Sequence, residues 1–504
     1  MPRVTFRVGA FSTAVLVPLL GCGPSAGTSP APSPSGGTSP EISAADLRNR
    51  LYAYADDSMQ GRRSGTPGNV KATDLIAAEA RRLGLEPAGE KGTWFQTVPI
   101  VTRTLEPGAG LTVDGAPAGA VNRAQTTERF NAAAGIVVAT LDGLGPSDRL
   151  DLQDPGGKLA SGKGPVTPAF MYATARVAEA LLGARPSSLR PGAAGKMVSG
   201  KVGFADRPAP SPARNVVAIL RGDDPALRGQ MVAVGAHNDH DGISPETLDH
   251  DSLRAFNRVM RPEGANSTPG EPTAEQHTRI RVALDSLRRE RPARPDSVLN
   301  GADDDGSGSV GLLEIAEHLA KSPDRPARSV LFVWHTAEEM GLLGADWFTR
   351  NPTVPRDSIV AQLNVDMIGR GGRDDRPDGG PAYLQIIGSR RLATELGDLV
   401  DRVNAEGRHG FEFDYQYDAD GHPDNYYCRS DHYMYARFGI PIAFFSSGSH
   451  RDYHQLTDEA QYIDYDKLAR VTRLIGDVAS AVADLDHRIV VDKPKPDPEG
   501  VCKQ

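Results

Sequence analysis

Four continuous apolar runs limit what this chain can fold into. Met231–Ala236, Val330–Trp334, Ile359–Val365 and Ile440–Phe445 are strand-length, rich in β-branched residues, and separated by helical patterns. A strand wet on one face alternates apolar and polar residues, whereas an unbroken run is buried on both faces, between helices. An earlier run, Asn215–Leu220, is expected to pair with Met231–Ala236. Strands alternating with helices imply an α/β architecture with a mixed, largely parallel central sheet flanked by helices.

The residues just after each run carry the chemistry. The four runs lead into His237-Asn238-Asp239-His240, His335-Thr336-Ala337-Glu338-Glu339, Asp366-Met367-Ile368-Gly369 and Ser446-Ser447-Gly448-Ser449-His450-Arg451-Asp452-Tyr453-His454. In open α/β sheets, ligands bind beyond the carboxyl ends of the strands. A further stretch, Asp303-Asp304-Asp305-Gly306-Ser307-Gly308, precedes Val310, Leu313, Ala316 and Leu319 at helical spacing. Alone, those acids would cap free N–H groups and suit a helix dipole. With the other loops they complete the donors for a pair of metal ions. Imidazole and carboxylate without thiolate suit Zn²⁺, with Mn²⁺ or Co²⁺ as substitutes. Two Zn²⁺ would be balanced by three carboxylates and a hydroxide; without metal the carboxylates repel one another.

These motifs resemble, in order, those of the di-zinc exopeptidases of clan MH, which include secreted bacterial aminopeptidases. The resemblance rests on Gly235–His240, Asn300–Gly308, Ala337-Glu338-Glu339-x-Gly341, Asn364-x-Asp366-Met367-x-Gly369 and Tyr453-His454, and spans 60–100 and 213–485. It implies a zinc exopeptidase-like fold in which His237, Asp304 and Asp366 hold one zinc, and Asp304, Glu339 and His454 the other. It further implies that Glu338 is the general base to a metal-bridging hydroxide, and that Asp239 orients the His237 imidazole. Alternation along an extended segment would turn Glu339 to the metal and Glu338 to substrate. A cis peptide at Asp304–Asp305 is expected on the same ground. The implied activity is removal of N-terminal residues from peptides. Carboxypeptidase or dipeptidase action, a glutaminyl cyclase-like reaction on one zinc, and a non-catalytic binding role are the alternatives. Two features depart from the pattern: Asn238 replaces a bulkier residue, and an excursion separates His237 from Asp304 by 67 positions. His450 either meets substrate or lines its loop.

The remainder organises around this domain. Residues 1–22 read as a lipoprotein signal: Arg3 and Arg7, an apolar stretch, then Leu19-Leu20-Gly21-Cys22, which resembles a lipobox. Residues 23–41 form a Gly/Ser/Pro tether. An exported bacterial lipoprotein is therefore expected, anchored through a lipid on Cys22 at the periplasmic or extracellular side. The peptidase domain would begin at 42–105, with Ser43 capping a helix, break for a β-rich module at 106–212, resume over 213–486 and end in a tail, 487–504. Within it, 241–300 reads as two helical stretches, one carrying Leu248, Leu253, Phe256 and Met260; it is either a lid or a surface addition. Cys428 and Cys502 remain, and with Cys502 in a charged tail both are expected as free thiols. A net charge of −9 without a basic stripe excludes a nucleic-acid surface.

Overall fold

Strand burial follows directly from the apolar runs. The structure is a computed structural model that describes residues 38–105, 110–113, 135–138, 157–160, 169–190, 192–196, 198–201 and 204–504. The signal stretch with Cys22, and the tether as far as residue 37, lie outside the described residues. The chain forms two units, one containing Val101–Pro208 and the other containing Ala31–Ile100 and Ala209–Gln504.

The larger unit opens with α1 (Ala44–Tyr54), whose N-cap Ser43 side chain accepts the Asp46 N–H. Helix α2 (Pro67–Arg82) starts on proline, where a missing N–H breaks no helical bond. Strands β1 (Glu86–Pro87), β2 (Phe95–Val98), β3 (Ala213–Leu220) and β4 (Met231–His237) come next. The excursion is a ribbon of β5 (Gly242–Asp249) and β6 (Pro295–Leu299), with α3 (His250–Met260) and α4 (Ala274–Glu290) between them. After it stand α5 (Gly308–Lys321), β7 (Ser329–His335), α6 (Leu343–Arg350) and β8 (Ile359–Val365). The unit ends with β9 (Tyr383–Ile387), α7 (Thr394–Glu406), β10 (Glu412–Asp414), α8 (His432–Ala436), β11 (Ile442–Ser446) and α9 (Tyr465–Ala483).

Nine strands make one sheet in the order β1-β3-β7-β4-β8-β11-β9-β10, with β2 also on β3. The four strands from the apolar runs, β7, β4, β8 and β11, are adjacent and mutually parallel. Successive residues feed opposite layers. Val216, Val232, Val234, Phe332 and Trp334 pack with α1, α2, α5 and α9, while Val217, Ala233, Leu331 and Val333 pack with α6 and α8. That two-sided burial is why the runs do not alternate.

Three expectations need correction. Strand β3 pairs antiparallel with β7, Val216 opposite Trp334, and not with β4. Both edges of β4 are already taken by the parallel strands β7 and β8; an apolar run reports burial, not neighbours. Leu248 lies in β5, 38% exposed, and not on the helix with Leu253, Phe256 and Met260. Cys428 and Cys502 form a disulfide across 74 positions. The tail returns to the body there: the Tyr427 N–H donates to the Gln504 side chain at 2.9 Å, and the Gly421 N–H to the Gln504 carbonyl at 3.0 Å.

The excursion docks on the loop that carries His454. Arg254 meets Asp452 at 3.1 Å, Arg261 donates to Gln455 at 3.0 Å, and the Asn266 amide donates to Ser449 Oγ at 2.8 Å. In the smaller unit, Gly157–Leu159, the adjoining Ile100–Leu105 strand and Phe204–Pro208 share a sheet. Gly110–Val113 pairs with Val198–Lys201, and Gly135–Val138 with Ala169–Tyr172.

Among the helices on the first face, buried Arg50 joins α1 to α5 and α2. It pairs with Glu314, with Glu317 at 2.5 Å and with Glu79 at 3.4 Å. Removing one partner of a buried ion pair leaves charge without solvent or counterion. Arg50→Met should therefore lower stability by about 3–5 kcal/mol, read as a shift in the urea unfolding midpoint at unchanged slope.

Candidate metal centre

The carboxyl ends of the central strands and the turn before α5 converge on one carboxylate. Asp304 Oδ1 lies 3.1 Å from His237 Nε2, and the same His237 nitrogen lies 3.6 Å from Asp366 Oδ1. Asp304 Oδ2, the other oxygen, lies 3.0 Å from His454 Nε2, which lies 3.1 Å from Glu339 Oε2. One side chain thus faces two donor groups, each joining an imidazole to a second carboxylate. Asp304, His237 and Asp366 are buried, while His454 is partly exposed at the cleft.

The three consecutive acids have different partners. Asp305 takes the helix-capping part: its Oδ1 accepts the Gly308 N–H at 2.8 Å, and its Oδ2 the His237 N–H at 3.0 Å. A Cβ on Gly308 would stand 2.3 Å from Asp305 Oδ1, so the turn closes only over glycine. Asp303 accepts the Gly369 N–H at 2.6 Å and faces His450 Nε2 at 3.2 Å. His450 is fully buried there and braces its loop. Asp304 alone of the three is directed at both imidazoles, its own N–H held by Asp458 at 3.1 Å. The Asp304–Asp305 peptide is cis, in keeping with the resemblance.

The surroundings fix each group. His237 Nδ1–H donates to the Asp239 carbonyl oxygen at 3.1 Å, leaving Nε2 as the free donor atom. The Asp239 carboxylate lies farther off, 3.8 Å from that ring, and accepts the Glu338 N–H at 3.1 Å. Asp239 thus holds the imidazole through its backbone. Ser430 donates to Asp366 Oδ2 at 2.7 Å and itself accepts from Asn364 at 2.9 Å. Asn238 faces the packing, donating to the Trp334 carbonyl at 2.8 Å and accepting from Asn69 at 2.8 Å. The Glu338–Glu339 segment is a turn and not extended: the Gly341 and Leu342 N–H groups both return to the Glu338 carbonyl. Ala337, Met367 and His454 adopt positive φ of 56°, 60° and 51°. Such conformations persist where surrounding contacts dictate them, and here they flank the converging side chains.

Burial should protonate these carboxylates, and at Asp304 the His237 and His454 imidazoles overcome it, holding the group well below its usual range. Burial likewise opposes charge on His237 and His454, yet the carboxylates raise both well above the usual imidazole value. Burial, with Glu339 and Asp366 close by, lifts Glu338 well above a normal carboxylate. A bound metal ion would balance the acids as cationic imidazole does, and its binding displaces the proton.

The donors fit metal ions. Asp304 Oδ2, Asp366 Oδ1 and His454 Nε2 are buried atoms without a hydrogen-bond partner, and the set is the hard carboxylate and imidazole combination that zinc takes. Donor atoms gathered closely enough to share an ion are those of His240, Asp304, Glu339 and His454, and those of His237, Asp305 and Asp366, although Asp305 is already engaged in closing its turn. A separate group, His250 with Asp296 and Glu459, is less suited: the Arg294 guanidinium already occupies His250 Nδ1. The sequence motifs alone miss His240, whose Nδ1 is 2.7 Å from Glu339 Oε1, and Asp241, 3.5 Å from His454 Nδ1. His240 is the last residue of the Gly235–His240 motif, which gives it no role, and Asp241 directly follows it; that placement is the available signal.

Residues 215–479 match Peptidase family M28. The chain belongs to that family. It is 30% identical over 174 residues to Leupeptin-inactivating enzyme 1 of Streptomyces exfoliatus, covering 33% of each chain. It is 28% identical over 186 residues to Leucine aminopeptidase 1 of Aspergillus fumigatus, covering 34% of this chain and 44% of that one. The chain thus spans between a third and under half the length of these curated relatives. Its fold is similar to that of the aminopeptidase from Aneurinibacillus sp. strain AM-1, with a TM-score of 0.53 at 17% identity, covering 90% of this chain and 97% of that one.

Adding zinc to chelator-treated protein should raise its stability by about 2.7 kcal/mol at a hundredfold excess over Kd. Asp304→Asn, which neutralises the carboxylate that faces both imidazoles, should abolish most of that gain. Calorimetric melting with and without zinc checks it.

Proposed function

We propose that this family member is a di-zinc aminopeptidase that removes N-terminal residues from peptides, with Glu338 as general base. The observation that carries this reading is the Asp304 carboxylate, with one oxygen toward His237 and the other toward His454. A carboxylate so placed suits a bridge between two metals. The relatives named as a leucine aminopeptidase and a leupeptin-inactivating enzyme support a peptide substrate.

When bound, the zinc ions would polarise the scissile carbonyl and lower the pKa of the attacking water. The protein's own residues do the rest. Glu338 lines the cleft beside Asp304, Glu339 and Asp366, where it can take the proton of the attacking water and deliver it to the departing amine. Asp239, through the Glu338 N–H, fixes the base at the start of its turn. Asp239 and Ser430 together set the two sides of the His237 position. The acidic floor favours a positively charged α-amino group. Tyr426, Phe444 and Met367 line the cleft and suit an apolar side chain.

Export and anchoring through a lipid on Cys22 belong to the same proposal and rest on the leader sequence alone. Cys22→Ser should then leave the protein out of the detergent-soluble membrane fraction.

Amine release from matched peptides with free and acetylated N-termini tests the activity. Only the free peptides should be cut. Glu338→Gln should lower kcat about 10²–10⁴-fold with little change in KM or zinc content. Equal cleavage of acetylated peptides would overturn the aminopeptidase reading, and a variant with normal kcat would remove Glu338 as the base.

A further inference from the structure

His240 stands outside the ligand set that the resemblance implies, yet the fold directs it to the same place. It is buried, and its Nδ1 lies 2.7 Å from Glu339 Oε1 and 3.8 Å from Asp304 Oδ2. Its ring meets that of His454 edge-on, centroids 5.5 Å apart. Space for the imidazole depends on Gly301 at φ +52, where a Cβ would stand 2.4 Å from His240 Cγ. The far nitrogen, Nε2, has no hydrogen-bond partner among the described residues, so the polar contacts described for this ring lie on the Glu339 side.

Spacing distinguishes a ligand from a neighbour. Four donors at about 2.0–2.1 Å around a tetrahedral zinc stand roughly 3.3–3.4 Å from one another. His454 Nε2 is 3.0 Å from Asp304 Oδ2 and 3.1 Å from Glu339 Oε2, and His240 adds 2.7 and 3.8 Å to the same two carboxylates. Donor atoms of all four residues lie within 4.8 Å of one another. We propose that His240 is a fourth protein ligand, through Nδ1, to the metal held by Asp304, Glu339 and His454. The inference rests on the metal-binding reading above and not on the choice of peptide.

Its consequence is an unequal pair. The group around His237 has three such donors, the number with which catalytic zinc sites keep a place open, whereas four donors fill a tetrahedron, as in structural sites. The open coordination is then concentrated on the His237 side, facing Glu338. The four-donor group would hold its ion the more tightly.

The test uses the zinc-loaded full chain, with His240→Ala and His240→Asn beside the wild type. Asn keeps an N–H for Glu339 but is a poor zinc ligand. Zinc per chain is counted during titration with a competing chelator, and zinc X-ray absorption reports bound imidazole. Wild type should release its two zincs separately and show three imidazoles shared between two metals. Both variants should show two imidazoles and weaken the tighter site beyond the ~10–100-fold that loss of an outer hydrogen-bond partner costs. An unchanged imidazole count and wild-type retention in His240→Asn would overturn the assignment and leave His240 positioning Glu339. A single zinc per wild-type chain would instead overturn the two-metal reading. Unaltered circular dichroism of the variants keeps misfolding apart from either result.

Discussion

The centre depends on one arrangement: a buried carboxylate placed between two imidazoles that approach from opposite sides. Asp304 contributes one oxygen to each. Three further carboxylates, Glu338, Glu339 and Asp366, line the same cleft. Like charges so close repel strongly when removed from water, so the arrangement requires compensating positive charge. The carboxylates accordingly raise the pKa of both His237 and His454 well above the usual imidazole value. A divalent ion bound here would supply more positive charge at shorter range.

The fold serves that requirement by bringing strand ends to one edge. Strands β7, β4, β8 and β11 lie side by side and parallel, so their carboxyl ends open together. Glu338–Glu339, His237, Asp366 and His454 stand at or beyond the ends of the four of them in turn. Because each strand is buried on both faces, its register is fixed by packing on two layers at once. Asp304 comes from the turn before α5, where Asp305 and Gly308 close the turn and leave the neighbouring Asp304 side chain to face the two imidazoles.

Much of this could be read from the sequence, for definable reasons. Unbroken apolar runs gave the core strands because two-sided burial has a compositional signature. The donor residues stood out because each run ended in them. The pairing of β3 with β7 could not be read, since a run such as Asn215–Leu220 records its burial and not the edge it joins. Nor could the Cys428–Cys502 bond, which depends on a tail that returns across 74 positions. The turn at Glu338 escaped because Ala337 adopts a positive φ that no residue type there announces. His240 escaped for another reason. The motif contains it without giving it a role, and such a donor is taken for an ordinary polar loop residue until its distance to Glu339 is known.

The same distinction settles how the excursion relates to the centre. Its residues are absent from the described lining of the cleft, which alone would suggest surface decoration. Yet the loop bearing His454 has little regular structure of its own and is held by contacts from several elements. Asp452 in that loop receives Arg370 at 2.8 Å, Arg254 at 3.1 Å and Thr457 at 2.7 Å. Arg254 belongs to the excursion, as do Asn266, which reaches Ser449, and Ala265, whose N–H reaches the Tyr453 carbonyl at 3.0 Å. Gly264 passes so near this loop that a Cβ there would stand 2.4 Å from the Tyr453 carbonyl oxygen. An insertion that holds the Tyr453 carbonyl on one side of a donor imidazole and the Gln455 side chain on the other is part of the scaffold of the centre. Its length between His237 and Asp304 therefore leaves the spacing of the two residues in space intact, because the ribbon of β5 and β6 brings the chain back to where it left.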